Sequence, residues 1–447
     1  MNPQADILEA AGPAAAAQQG AAIQAVRRIA ADSGEPDWLL ARRVKALEFY
    51  QCAPLPSRAG HLWRYTDPAE FVVDPARADL NGGGRTQIEA GARRDLEHED
   101  LSGRAVVHNG ALLEVQLDPE LSERGALIMD LHRAARECPD ELQQRLGAVV
   151  PGEHGKFEAL NMALWRAGLY VTVPEGMIVP KPIHLVFSGG AEAGFIAPRL
   201  LVAAGPSSEI NLVLELIGPH EAAFDANVVV EAIAAQNARV RLVTISRWGE
   251  GVKSYCTQRT AVERDAVLET VWAGLGGRVT KCDIGAKMLG PGARAVMWGL
   301  TFAQGRQHFD VHTEHWHAAQ RTTSDMDFKV VLKDKARSVY TGLIRIDRHS
   351  TGCEAYQENR NLLLNEGPQT QTIPELEILN EDVKCTHGAT VGPIDQDELF
   401  YLQARGIPRD EAMRIIVAGF VHHTLEHIPD QIKDRLESYV AERLREI

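Results

Sequence analysis

The chain has 447 residues, 45% of them apolar and 24% charged, which excludes a wholly disordered polymer and allows a sizeable core. Its 47 Lys plus Arg against 61 Asp plus Glu leave a formal net charge of −14, which argues against nucleic acid or an anionic membrane as the main partner. The start, Met1 to Ala17, has no early Lys or Arg, and no run approaches eighteen apolar residues, so neither a secretory signal nor a membrane helix is expected. Six scattered cysteines without a C-x-x-C pair suit a reducing, cytoplasmic setting.

Three textures follow one another. Residues 1–155 are rich in Ala, Arg and Glu. Gln18 to Ala31 and Pro36 to Tyr50 have helical spacing, and Trp38, Leu39, Ala46 and Phe49 share one face of the second. Asp79 to Thr86, with Gly82, Gly83 and Gly84, reads as a loop. Ala105 to Leu117 reads as strand, Asn109-Gly110 turn and strand. Met129 to Leu146 reads as helix.

From 156 to 394 the pattern becomes a series of short Val/Ile/Leu runs. They are Leu169–Val173, Ile183–Phe187, Arg199–Val202, Ile210–Leu216, Val228–Ile233 and Val240–Ile245, separated by Gly, Pro, Asn or charged residues. Such spacing means a sandwich, a barrel or a β-helix. Ala293-Arg294-Ala295-Val296-Met297-Trp298-Gly299-Leu300 is echoed 43 residues later by Ala336-Arg337-Ser338-Val339-Tyr340-Thr341-Gly342-Leu343, which leans toward a solenoid. Residues 395–447 return to helix. Gln396 to Arg405 stops at Gly406, Pro408 opens the next helix, and Pro429 opens the last, Asp430 to Arg445. This tail suits docking on the core or on another protein.

No G-x-x-x-x-G-K-[ST] or G-x-G-x-x-G is present, so nucleotide hydrolysis by this chain is not expected. Three clusters carry candidate chemistry. The first is His308, Asp310, His312, Glu314, His315 and His317, residue types that suit zinc or iron. On a strand His308, Asp310 and His312 face one side, His315 and His317 the other, so one shared site needs a turn near Thr313. The alternative is a polar ladder. The second is His423-Thr424-Leu425-Glu426-His427, an H-x-x-E-H zinc-peptidase pattern with Glu426 as base. Its third ligand would be Glu437, Glu442 or Glu446 on a short tail after Pro429. The third is Cys385-Thr386-His387, which places a thiol and an imidazole on one strand face. That is half an iron or iron–sulfur site, which another residue or a partner must complete. A buried Cys beside a hydrogen-bonded His is the alternative, and a Cys–His hydrolase is disfavoured by the i, i+2 separation.

At these residues the chain resembles the SufB/SufD family of iron–sulfur cluster assembly proteins. The resemblance is carried by Ser338 to Ile344, Tyr356 to Leu364, Pro374 to Ile378, Lys384 to Gly392 and Gln396 to Ile407, in order. Gln307-His308-Phe309-Asp310-Val311-His312-Thr313 and Trp63-Arg64-Tyr65-Thr66-Asp67 resemble the SufD branch. So does Cys385-Thr386-His387-Gly388-Ala389-Thr390-Val391-Gly392, where Gly388 stands in place of the Glu of SufB-type chains.

The resemblance implies a mainly β fold, with a right-handed parallel β-helix core between N-terminal and C-terminal α-helical regions. It implies a non-catalytic scaffold subunit of the SUF complex that pairs with a SufB-like chain and binds a SufC-like ATPase. His387, with Cys385, would then be a ligand to a transient iron–sulfur cluster shared at the partner interface. A reduced flavin could supply electrons at the level of the complex. Phe400, Tyr401 and Phe420 would receive the ATPase, and His312 and His317 are left as secondary metal candidates. A homodimeric SufB-like scaffold is the alternative within the family, and a homodimer of the lone chain fits either form.

Overall fold

The computed structural model describes residues 13–76, 100–190 and 192–445. The expected loop Asp79–Thr86 and the candidate ligand Glu446 lie outside the described residues, as does most of the Ala-rich start. The core is a parallel β-solenoid of about 8 turns with helices at both ends. From Glu209 onward consecutive strands alternate between two facing sheets. One sheet stacks Glu209–Ile217, Arg239–Arg247, Val267–Gly274, Arg294–Ala303, Thr323–Leu332, Cys353–Leu363 and Val383–Pro393. The other stacks Asp225–Ala234, Lys253–Val262, Val279–Met288, His308–His317, Arg337–Ile346 and Gln369–Ile378.

The register gives the coil length. Val279 pairs with His308 and His308 with Arg337, and directly stacked residues are 29 apart in sequence. The 43-residue echo is therefore about one and a half coils. It relates Arg294–Ala303 in one sheet to Arg337–Ile346 in the other, two strands with the same inward alternation on opposite walls.

The turns explain why the coils stack in register. At one corner of the solenoid each of these coils places one residue in a left-handed conformation: Ser207, Asn237, Asp265, Gly292, Arg321 and Gly352. Its N–H donates to a turn carbonyl of the next coil, as in Asn237 N to Arg264 O at 2.9 Å and Gly352 N to Asp382 O at 2.8 Å. Asn, Asp and Gly tolerate this backbone best, so the turn residues are placed by sterics as well as by polarity. The inward rows, such as Leu242, Leu268, Val311 and Val330, form the continuous apolar interior.

The hairpin at Asn109-Gly110 forms as expected, with strands Gly103–His108 and Ala111–Leu117. It is not separate from the solenoid, because Gly103–His108 pairs in parallel with Ile183–Ser188 and so extends the first sheet. The two N-terminal helices run Pro13–Ser33 and Asp37–Cys52, and Leu39 and Ala46 are buried as the spacing implies. The expected single helix over Met129–Leu146 is replaced by the strand Leu127–Asp130 and two short helices, Leu131–Glu137 and Pro139–Arg145. Asp130 caps the first through the N–H groups of His132 and Arg133, and Pro139 cannot continue it.

The C-terminal helices Gln396–Ala404, Arg409–Leu425 and Asp430–Arg445 pack back onto the outer face of the first sheet. Val417, Val421, Leu425 and Val440 meet Val243, Val271, Leu300 and Phe302 there. The tail thus docks on its own core, leaving only part of its surface for another protein. No described helix is long and apolar enough to cross a membrane.

Candidate functional site

The solenoid ends abruptly. Val383–Pro393 is the outermost strand of one sheet and Gln369–Ile378 the outermost of the other. Each therefore offers an edge of backbone N–H and C=O groups, the element most ready to pair with another chain. Pro374 lies within Gln369–Ile378, a place proline tolerates only at an edge. Apolar side chains crowd the last coil: Leu376, Ile378, Leu379 and Val391 are 37–49% exposed.

Cys385 and His387 sit on this last strand. Cys385 stacks below Ala355 and His387 below Gln357, so both continue the inward-facing row of the solenoid. In a middle coil that row would be buried. Here no coil follows, and His387 is exposed while Cys385 is half-buried against the end of the core. Burial pushes the Cys385 thiol up to about 11, so it is protonated at neutral pH, and a metal ion binding there would have to displace that proton. Gly388 follows His387, and a Cβ added there would meet only Glu358 Oε1 and Tyr356 Oη, both at 3.9 Å. A side chain could therefore be accommodated at that position.

The other candidates are dispersed. His308–His317 is one continuous strand, with no turn at Thr313. His308 and His312 lie on the outer face and His315 and His317 in the interior, as alternation requires. His317 is engaged through both ring nitrogens, by Thr322 Oγ1 at 2.7 Å and Ser324 Oγ at 2.9 Å, and burial pushes its pKa down to about 4. His312 bonds Asp283 Oδ1 through Nδ1 at 2.6 Å on the opposite face of the sheet. The two cannot share an ion, and His317 is a packing residue.

The H-x-x-E-H segment fares no better. The helix ends at Leu425, and His427, just beyond it, lies 3.3 Å from His423 Nδ1 through Nε2 while its ring stacks on Trp298 with centroids 3.6 Å apart. Glu426 is drawn to His422 at 3.1 Å, not to His423. Among the described residues these three form no metal-binding group. Phe400 and Tyr401 are 71% and 56% exposed, as an outward docking surface requires. Phe420 differs: it packs into the cluster between helix and sheet, with Lys329 over its ring.

Two stretches singled out in the sequence meet in space. Thr66 Oγ1 lies 2.8 Å from His308 Nε2 and donates to Asp310 Oδ2 at 2.5 Å. Trp63 stacks on Tyr255, and Lys281 donates to Leu62 O at 2.7 Å. Residues 61–76 are thus a strap across the outer face of the second sheet. What sequence reading missed is the edge strand Gln369–Ile378. Its run of Gln and Thr lacks an apolar alternation, and the β-branched Thr370, Thr372 and Ile373 were the signal available.

Fold and site together define a parallel β-solenoid protein that ends in two strand edges, one carrying a thiol–imidazole pair. Residues 186–420 match the family model described as "SUF system FeS cluster assembly, SufBD core domain", and residues 24–185 match the SufBD protein N-terminal region. The chain belongs to the SufBD family of iron–sulfur cluster assembly proteins. It is 28% identical over 420 residues to SufBD family proteins of Staphylococcus haemolyticus and Staphylococcus epidermidis, covering 92% of this chain and 90% of each relative. A Staphylococcus aureus relative of the same description is 27% identical over the same length.

Proposed function

We propose that this chain is a SufD-type, non-catalytic cytoplasmic scaffold subunit, which pairs through its last coil with a SufB-like chain. The observation that carries the reading is the position of His387 and Cys385 on the inward row of an outermost strand. A partner strand that continued the sheet would cover both side chains and could place its own ligands opposite them. Two ligands from each side would complete a site that neither chain holds alone. The iron–sulfur cluster is cargo in this scheme, built and released rather than retained.

The exposed Phe400 and Tyr401 support a separate docking surface for a SufC-like ATPase at the other face of the C-terminal helices. Phe420 contributes indirectly, by holding its helix on the sheet. The test is co-expression with SufB-like and SufC-like chains followed by native mass measurement. A heteromeric complex is expected for the wild type. Leu376→Lys with Val391→Lys should prevent pairing while leaving the fold intact, because a charge on an edge opposes edge-to-edge contact. A complex that forms equally well with both lysines present would remove this reading. A chain that pairs only with itself through the same edge would favour the homodimeric scaffold.

A further inference from the structure

A second constellation lies away from the solenoid end, where the N-terminal region meets the second sheet. His154 precedes the helix Lys156–Leu164, and Glu158 lies in its first turn, one turn on from His154. Asp283 comes from the strand Val279–Met288. One ring nitrogen of His154 and one carboxylate oxygen each of Glu158 and Asp283 all lie within 4.8 Å of one another. They adjoin a cavity of about 730 Å³, lined in part by His154, Asp283, His312 and Glu314.

The distances favour an ion over direct contact. His154 Nε2 is 3.8 Å from Asp283 Oδ2, too long for a hydrogen bond. It is within the separation of two ligands that each sit about 2.0–2.2 Å from one metal. The surroundings fix the carboxylates as metal ligands are usually fixed. Tyr255 Oη and Thr257 Oγ1 both donate to Glu158 Oε1, at 2.9 and 2.6 Å. Arg259 grips Asp283 through Nε at 3.2 Å and through a second nitrogen, and reaches Glu314 at 2.5 Å. His312 Nδ1 bonds Asp283 Oδ1, while Oδ2 is the oxygen nearer His154.

Charge points the same way. Lys281 is paired with Asp310 at 2.9 Å, so those two cancel. Glu158, Asp283 and Glu314 then face one guanidinium, Arg259, and Glu375 and Glu377 line the far side of the same cavity, so carboxylates outnumber the basic groups here. A cleft lined by an excess of carboxylates draws cations toward it.

We propose that His154, Glu158 and Asp283 form a binding site for one divalent first-row metal ion, of the zinc or iron(II) class, with its remaining positions open to the cavity. One imidazole and two carboxylates suit those ions, and an open face leaves room for water or a small ligand. Because its ligands come from a loop, a helix and a strand of the sheet, the ion pins the N-terminal region to the solenoid. None of the three ligands comes from the last coil, although Glu375, Leu376 and Glu377 of its edge strand Gln369–Ile378 line the far side of the same cavity.

The test uses the full chain, stripped with a chelator and titrated with zinc(II), and anaerobically with iron(II), by calorimetry. The wild type should bind one equivalent, and its Tm should rise with metal. His154→Ala removes an exposed ligand and should weaken binding at least about tenfold, as should the near-isosteric Glu158→Gln. The His387→Ala/His423→Ala chain should bind like the wild type. Absence of wild-type binding would overturn the proposal. So would one-equivalent binding that survives His154→Ala and Glu158→Gln but disappears in His387→Ala/His423→Ala.

Discussion

Replacing Glu35 with Gln should destabilise the N-terminal region by about 3 kcal/mol at neutral pH, and the loss should shrink in acid. The Glu35 side chain is fully buried beside Arg43. Burial alone would raise its pKa. The His132 contact at 2.8 Å and three Arg43 hydrogen bonds of 3.0, 2.9 and 2.6 Å outweigh that and hold it down at about 2. The ordinary value is 4.5. A displacement of that size corresponds to about 3 kcal/mol of stability. Because the folded pKa is depressed, this contribution is complete above pH 4.5 and is lost as pH falls toward 2. At pH 3.5 about 2 kcal/mol should remain. Urea unfolding of wild type and Glu35→Gln between pH 7 and pH 3.5 measures the difference directly. A difference below about 1 kcal/mol at pH 7, or one that does not narrow by pH 3.5, would refute the electrostatic account.

Other expectations follow from the same geometry. Arg199→Met should cost about 3–5 kcal/mol in denaturant unfolding, because it strands the fully buried Glu231, to which Arg199 and the N–H groups of Gly147 and Val150 donate. A double-mutant cycle with Glu231→Leu should show strong coupling between the two sites. Gly299→Ala would bring a Cβ to 1.9 Å from the Phe328 ring inside the solenoid, and should lower stability by about 1–3 kcal/mol. Phe400→Ser with Tyr401→Ser should leave the unfolding free energy within about 0.5 kcal/mol of wild type yet abolish capture of a SufC-like ATPase in a pull-down. Phe420→Ala, by contrast, should lower the midpoint measurably, since that ring packs in the chain's own core.

Much of the fold was legible because the solenoid writes itself in short apolar runs. Val240–Ile245 and Ile210–Leu216 are strands stacked residue on residue, from Arg239 on Glu209 to Arg247 on Ile217. The coil length was not legible, because the strongest echo joins opposite walls and gives one and a half coils instead of one. Alternation placed His308 and His312 opposite His315 and His317 correctly, yet it could not show that Thr322 and Ser324 occupy the two nitrogens of His317. The H-x-x-E-H spacing does bring His423 and His427 within 3.3 Å of each other, but Glu426 pairs with His422 and His427 stacks on Trp298, so no acidic third group joins them. His154 and Glu158 carried a visible i, i+4 spacing, but Asp283 comes from a distant strand. Only the stacking of coils beneath the helix Lys156–Leu164 brings the three together.

The central claim is that His387 acts at a shared interface and not in the packing of its own chain. Iron and acid-labile sulfide should be measured in the complex co-expressed with SufB-like and SufC-like chains, for wild type and His387→Ala, with native mass recorded on the same samples. The account predicts an unchanged complex and unchanged stability, with most of the cluster lost in His387→Ala. Full cluster content in His387→Ala, with the complex intact, would contradict it.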